Sequence, residues 1–86
     1  LPVVIGELGN GGPQAGANML AIRAAQKAAS ERKELRGNVK FVPTTAFARS
    51  KEQSPNVGHG HHWFGNAESY FLIGDALGKA MVDLHR

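Results

Sequence analysis

The apolar positions of this chain fall into four groups, each with its own period, separated by stretches rich in glycine and polar residues. Leu1–Leu8 (LPVVIGEL) opens with Pro2 and the β-branched run Val3–Ile5. A proline at a strand start costs no ladder bond, and a run apolar on both faces predicts a strand buried in a parallel sheet. Gly9–Gly16 (GNGGPQAG) carries four glycines, which predicts a loop with positive-φ positions. Between Ala17 and Glu34, Met19, Ile22, Ala25, Ala28 and Ala29 recur at helical spacing among good helix formers, and Gly37 stands where a C-terminal cap belongs. Val39–Thr44 (VKFVPT) predicts a second strand, its ladder ended by Pro43. Residues 45–65 show little periodicity, and a loop of this length in a small domain is usually functional or mobile. Asn66 is a good N-cap, and Ala67, Tyr70, Phe71, Gly74, Leu77, Met81 and Leu84 trace one stripe of a helix running to about Leu84.

The order is strand, helix, strand, loop, helix, and strand–helix–strand at this spacing predicts a right-handed crossover between parallel strands. Two strands are too few for a sheet with both faces covered, because their outer edges stay unpaired. The expectation is therefore an α/β piece, residues 1–86 forming the C-terminal part of one larger domain. Leu1 in place of an initiator Met fits a processed chain or a fragment.

Composition narrows the partners. With 86 residues there is room for one small domain, which would bury only about 60–65% of the surface its unfolded chain exposes. Cysteine is absent, so neither disulfides nor zinc–thiolate chemistry can staple it. The net charge of +3 comes largely from Arg23, Lys27, Arg32, Lys33 and Arg36, which interleave with Glu31 and Glu34 as a solvated helix face. No aromatic residue lies among them to stack on a base, which argues against a nucleic-acid partner. The longest apolar runs are far too short to span a bilayer, so no membrane is expected.

Two stretches invite chemistry. In Gly58-His59-Gly60-His61-His62-Trp63-Phe64-Gly65-Asn66, three histidines fall within four residues just before a helix. As metal ligands they are too close together to face one ion easily, and the nearest carboxylates are Glu52 and Glu68, so no metal is expected. As structural residues they would be polar loop histidines, with Trp63 and Phe64 packed on the sheet. As catalysts, one would be a general base at the C-terminal edge of the sheet, where α/β folds place their sites. The glycine loop is a potential anion site, but it lacks the third glycine of the dinucleotide pattern and is followed by no Gly-Lys-Ser/Thr. Pro13 also removes an N–H donor, so no nucleotide cofactor is expected. Gln26 reads as a surface or helix–sheet hydrogen-bonding residue, and Glu68 as favourable to the helix dipole.

The segment His62–Gly78 (HWFGNAESYFLIGDALG) resembles the C-terminal histidine block of the sialate O-acetylesterase-like carbohydrate esterases, in the SGNH hydrolase superfamily. Leu1–Leu8 is similar to the strand after that family's third motif block, Arg23-Ala24-Ala25-Gln26 resembles an Arg-x-x-Gln on its following helix, and Val39–Thr45 resembles its next strand. The resemblance implies a flavodoxin-like three-layer α/β/α sandwich that removes O-acetyl groups from sugars with a serine nucleophile and a histidine base. It implies His62 as that base, with His61 second, and a cleft lined by Trp63, Gly11 and Gln14. It also implies an acetylated carbohydrate as substrate, the remainder of the esterase domain as partner, no cofactor, and a secreted or periplasmic location.

Two departures qualify this. The family's orienting Asp, three residues before the histidine, is replaced by His59 (before His62) or Gly58 (before His61). The nucleophile and oxyanion blocks are missing from these residues, and none of Ser30, Ser50, Ser54 or Ser69 sits on a strand-to-helix turn. The chain alone is expected to be inactive. A small non-catalytic binding or assembly module with incidental histidines is the alternative.

Overall fold

The computed structural model describes residues 1–85. Two strands, β1 (Val3–Gly6) and β2 (Val39–Val42), pair in parallel, with Val3 opposite Val39 and Gly6 opposite Val42. Helix α1 (Ala17–Ser30) connects them, and helix α2 (Ala67–Leu84) closes the order. α1 packs on β2, while α2 packs on both strands. The result is a small α/β unit with a two-stranded parallel sheet.

Several boundaries differ from expectation. α1 stops at Ser30 instead of Glu34 because Arg32 takes an extended conformation and residues 33–35 form a separate tight turn. Gly37 does adopt positive φ (88°), but it follows that turn and does not cap the helix. β2 ends at Val42, just before Pro43. The segment 45–65 is a chain of tight turns at 45–47, 51–53 and 60–65.

The helix faces depart further. α1 buries Arg23 and half-buries Met19, Gln26 and Ser30, whereas Ile22, Ala25, Ala28 and Ala29 of the expected stripe are exposed. The reason is polar: the loop after β1 presents carbonyls that only Arg23 and Gln26 can satisfy, so the helix turns those residues inward. On α2 the inward face carries Ser69, Ile73, Ala76, Leu77, Ala80 and Met81, while Tyr70, Phe71 and Gly74 face outward.

The core is correspondingly thin. Val42 and Ala80 are the buried hydrophobic residues, alongside buried Arg23, Thr44, Asn66 and Ser69. β1 is only partly covered, with Val3 exposed, so the expected burial of this strand on both faces is not realised within the chain. The molecule is a slab of 41 × 27 × 15 Å. Its accessible surface is 5778 Å², against about 4,900 Å² for a compact monomer of this mass.

Candidate functional site

The ends of both strands run into polar networks that shape one region. After β1, Glu7 turns its carboxylate toward the start of the segment after β2. Its Oε1 accepts from the Thr44 N–H (2.9 Å), the Thr45 N–H (3.0 Å) and the Thr45 hydroxyl (2.7 Å). The Thr44 hydroxyl donates back to the Glu7 carbonyl (2.8 Å). Partial burial pushes the Glu7 carboxyl up, but the Thr45 hydroxyl, the two backbone amides and the nearby Arg23 charge outweigh it and leave the pKa below its ordinary value.

Arg23 holds the glycine loop from below. Its Nε donates to the Leu8 carbonyl (2.7 Å), and its two terminal nitrogens donate to the carbonyls of Gly12 (3.0 Å) and Asn10 (3.1 Å). Gln26 completes the grip, accepting from the Leu8 N–H (2.8 Å) and donating to the Gly6 carbonyl (3.3 Å). Gln26 thus fills the helix–sheet hydrogen-bonding role its position predicts, whereas Arg23, expected on the solvated face, is buried. The signal available was spacing: Met19, Arg23 and Gln26 lie on one helical face.

The histidine segment is anchored at its far end. Asn66 caps α2 by accepting from the Ser69 N–H (3.0 Å), and its amide nitrogen donates to the Gln53 carbonyl (3.2 Å) and the Ser54 hydroxyl (3.0 Å). Between the histidines and this cap, Trp63 (φ 56°), Phe64 (φ 53°) and Gly65 (φ 67°) run consecutively through left-handed backbone. For Trp and Phe that costs roughly 1–2 kcal/mol each. The turn is held by bonds from the Phe64 N–H to the His59 carbonyl (2.9 Å), from the Asn56 N–H to the Phe64 carbonyl (3.0 Å) and from the Asn66 N–H to the Trp63 carbonyl (3.0 Å). The Tyr70 hydroxyl donates to the His62 carbonyl. Strained non-glycine backbone of this kind concentrates at functional sites.

Gly11, Gln14 and Trp63, 52 positions apart at their extremes, line a single cleft of about 590 Å³. The glycine loop (residues 11–14) forms one wall, Trp63 and Phe64 another, and Ala48–Glu52 a third. All three walls follow the C-terminal ends of the strands. His61 and His62 do not line the cleft; they stand exposed on the turn leading to Trp63. Their ring centroids are 4.1 Å apart, with His59 at 5.7 Å from His61 and 6.3 Å from His62. Among the described residues no imidazole bonds a carboxylate, and no group of three His, Cys, Asp or Glu side chains is placed to hold a metal ion.

The serine hydroxyls are engaged elsewhere. Ser30 donates to the Lys27 carbonyl, Ser50 to Gln53 Oε1, Ser54 to the Ser50 carbonyl and Ser69, fully buried, to the Phe47 carbonyl. None reaches a histidine. No known protein family, curated protein or solved structure matches this chain.

Proposed function

We propose that the chain is the C-terminal part of a carbohydrate O-acetylesterase domain of SGNH type, a three-layer sandwich to which it brings the general base and part of the substrate cleft. The observation that carries this reading is the convergence of Gly11, Gln14 and Trp63 on one cleft at the carboxyl ends of two parallel strands, the position at which open α/β sheets bind ligands. The thin core, the exposed apolar residues Leu20, Ile22 and Phe71 and the unpaired sheet edges fit a unit completed by further polypeptide.

In this mechanism His62 takes the proton of a serine hydroxyl supplied by that polypeptide as the oxygen attacks the acetyl carbonyl. It then returns the proton to the departing sugar oxygen. Trp63 offers its ring to the sugar face. An orienting carboxylate comes from that polypeptide, or the serine and His62 work as a dyad.

The test compares this chain with a form extended at its N-terminus by the native preceding sequence, using an aryl acetate. Turnover confined to the extended form and abolished by His62→Ala is the expected result. No turnover in the extended form favours the second reading, a non-catalytic binding or assembly module. The observation on that side is that every serine hydroxyl is committed and that, among the described residues, no carboxylate bonds the imidazoles of His59, His61 or His62.

A further inference from the structure

The buried guanidinium of Arg23 has a consequence for the cleft. Arg23 is 7% exposed, and among the described residues no carboxylate lies within ion-pair distance of it. Its hydrogen bonds go to the carbonyls of Leu8, Asn10 and Gly12. Every peptide bond described is trans, and in a trans peptide the N–H points opposite to the carbonyl of the same unit. Drawing the Asn10 carbonyl down onto the guanidinium therefore turns the Gly11 N–H up and away from it. Gly11 lines the cleft, and its N–H donates to no acceptor among the described residues. Its positive φ (88°) is what allows the chain to make this turn.

We propose that Arg23 is a positioning residue that aims the Gly11 N–H into the cleft, where it donates to an acceptor oxygen of a sugar ligand stacked on Trp63. The charge polarises the Asn10–Gly11 peptide and strengthens its N–H as a donor. Glu7, whose carboxylate lies near Arg23 and is turned toward Thr44 and Thr45, offsets the Arg23 charge. The acceptor supplied by a sugar ester is uncharged, a hydroxyl or an acyl carbonyl. Glycine at position 11 leaves room for such an oxygen beside the backbone. The inference rests on the sugar-ester reading for its ligand class but not for its chemistry, because the donor is separate from any reacting group.

Trp63 is the one tryptophan of the chain, so its fluorescence reports on this cleft alone. The chain is titrated with a methyl hexoside and with its mono-O-acetyl ester. A saturable change in Trp63 emission is expected, for the ester alone if the acceptor is the acyl carbonyl and for both sugars if it is a hydroxyl. Chemical synthesis with an ester in place of the Asn10–Gly11 amide deletes this N–H and weakens the Asn10 carbonyl as an acceptor for Arg23, and Arg23→Lys removes the three-carbonyl grip while keeping the charge. Either change is expected to weaken binding about tenfold, with circular dichroism showing a folded chain. A silent wild type, or an ester-backbone form binding within about twofold of it, overturns the proposal. The readout needs no turnover. An intact Trp63 response beside an inactive extended chain sinks the esterase reading alone, whereas an active extended chain indifferent to the N–H deletion sinks this one alone.

Discussion

Gly9→Ala is the sharpest probe of how the two strand ends are joined. A Cβ at position 9 would lie 2.1 Å from the Thr44 hydroxyl oxygen and 2.9 Å from both the Thr44 carbonyl carbon and the Thr45 nitrogen. Thr44 is 1% exposed, so its side chain has nowhere to retreat without breaking its bond to the Glu7 carbonyl. The backbone contacts are harder still to relieve, because the Thr44 and Thr45 amides are both held by the Glu7 carboxylate. Overpacking of this kind costs about 1–3 kcal/mol, and each hydrogen bond broken adds roughly 1 kcal/mol. The expected loss is about 3–5 kcal/mol, against a total stability of roughly 4–13 kcal/mol for a chain of this length. Thermal melting followed by circular dichroism should then fall by about 15 °C or more. Gly58→Ala, whose Cβ meets nothing within 4 Å, serves as the neutral control. The double change Gly9→Ala with Thr44→Ala removes the hydroxyl clash but leaves the main-chain contacts, so only partial recovery is expected. A Gly9→Ala melt matching the wild type, or full recovery in the double variant, would refute the described packing of the two strand ends.

Three further outcomes follow from the same networks. Because the folded Glu7 pKa lies below its ordinary value of 4.5, its stabilisation is complete above the unfolded value and is lost as pH falls through the folded one. Urea midpoints measured at about pH 6 and about pH 3 should therefore fall more for the wild type than for Glu7→Gln. Ser69→Ala leaves the Phe47 carbonyl without its buried partner and should cost about 1–3 kcal/mol in urea unfolding; a change near zero would show that the hydroxyl bond contributes nothing. Gly74→Ala places a better helix former on α2 where the added methyl meets nothing within 4 Å, so it should stabilise this chain by about 1 kcal/mol. A fall in melting temperature would show that this face of α2 is already covered.

The elements themselves were legible in the residues. The Val3–Ile5 run, the glycines of 9–16, Pro43 and the Asn66 cap are local signals, because strand, turn and cap preferences act over a few neighbouring positions. They set the order of β1, α1, β2 and α2 without reference to anything distant. Gly11, Gln14 and Trp63 are marked only by the family resemblance, and nothing local in the chain says that these three line one cavity.

What the folded arrangement alone decided is which way each helix faces and where the polar groups go. An apolar stripe predicted Ile22, Ala25 and Ala28 as the buried side of α1, yet Arg23 and Gln26 occupy it. The carbonyls of Leu8, Asn10 and Gly12 need donors, and that demand becomes visible only once the glycine loop has folded over the helix. The left-handed backbone at Trp63 and Phe64 is likewise beyond any propensity, since those residues avoid it unless a bond to the His59 carbonyl and bonds from the Asn56 and Asn66 N–H groups enforce it. Periodicity reports which residues prefer to leave water; the satisfaction of buried backbone groups, a property of the whole packed chain, determines which of those preferences is honoured.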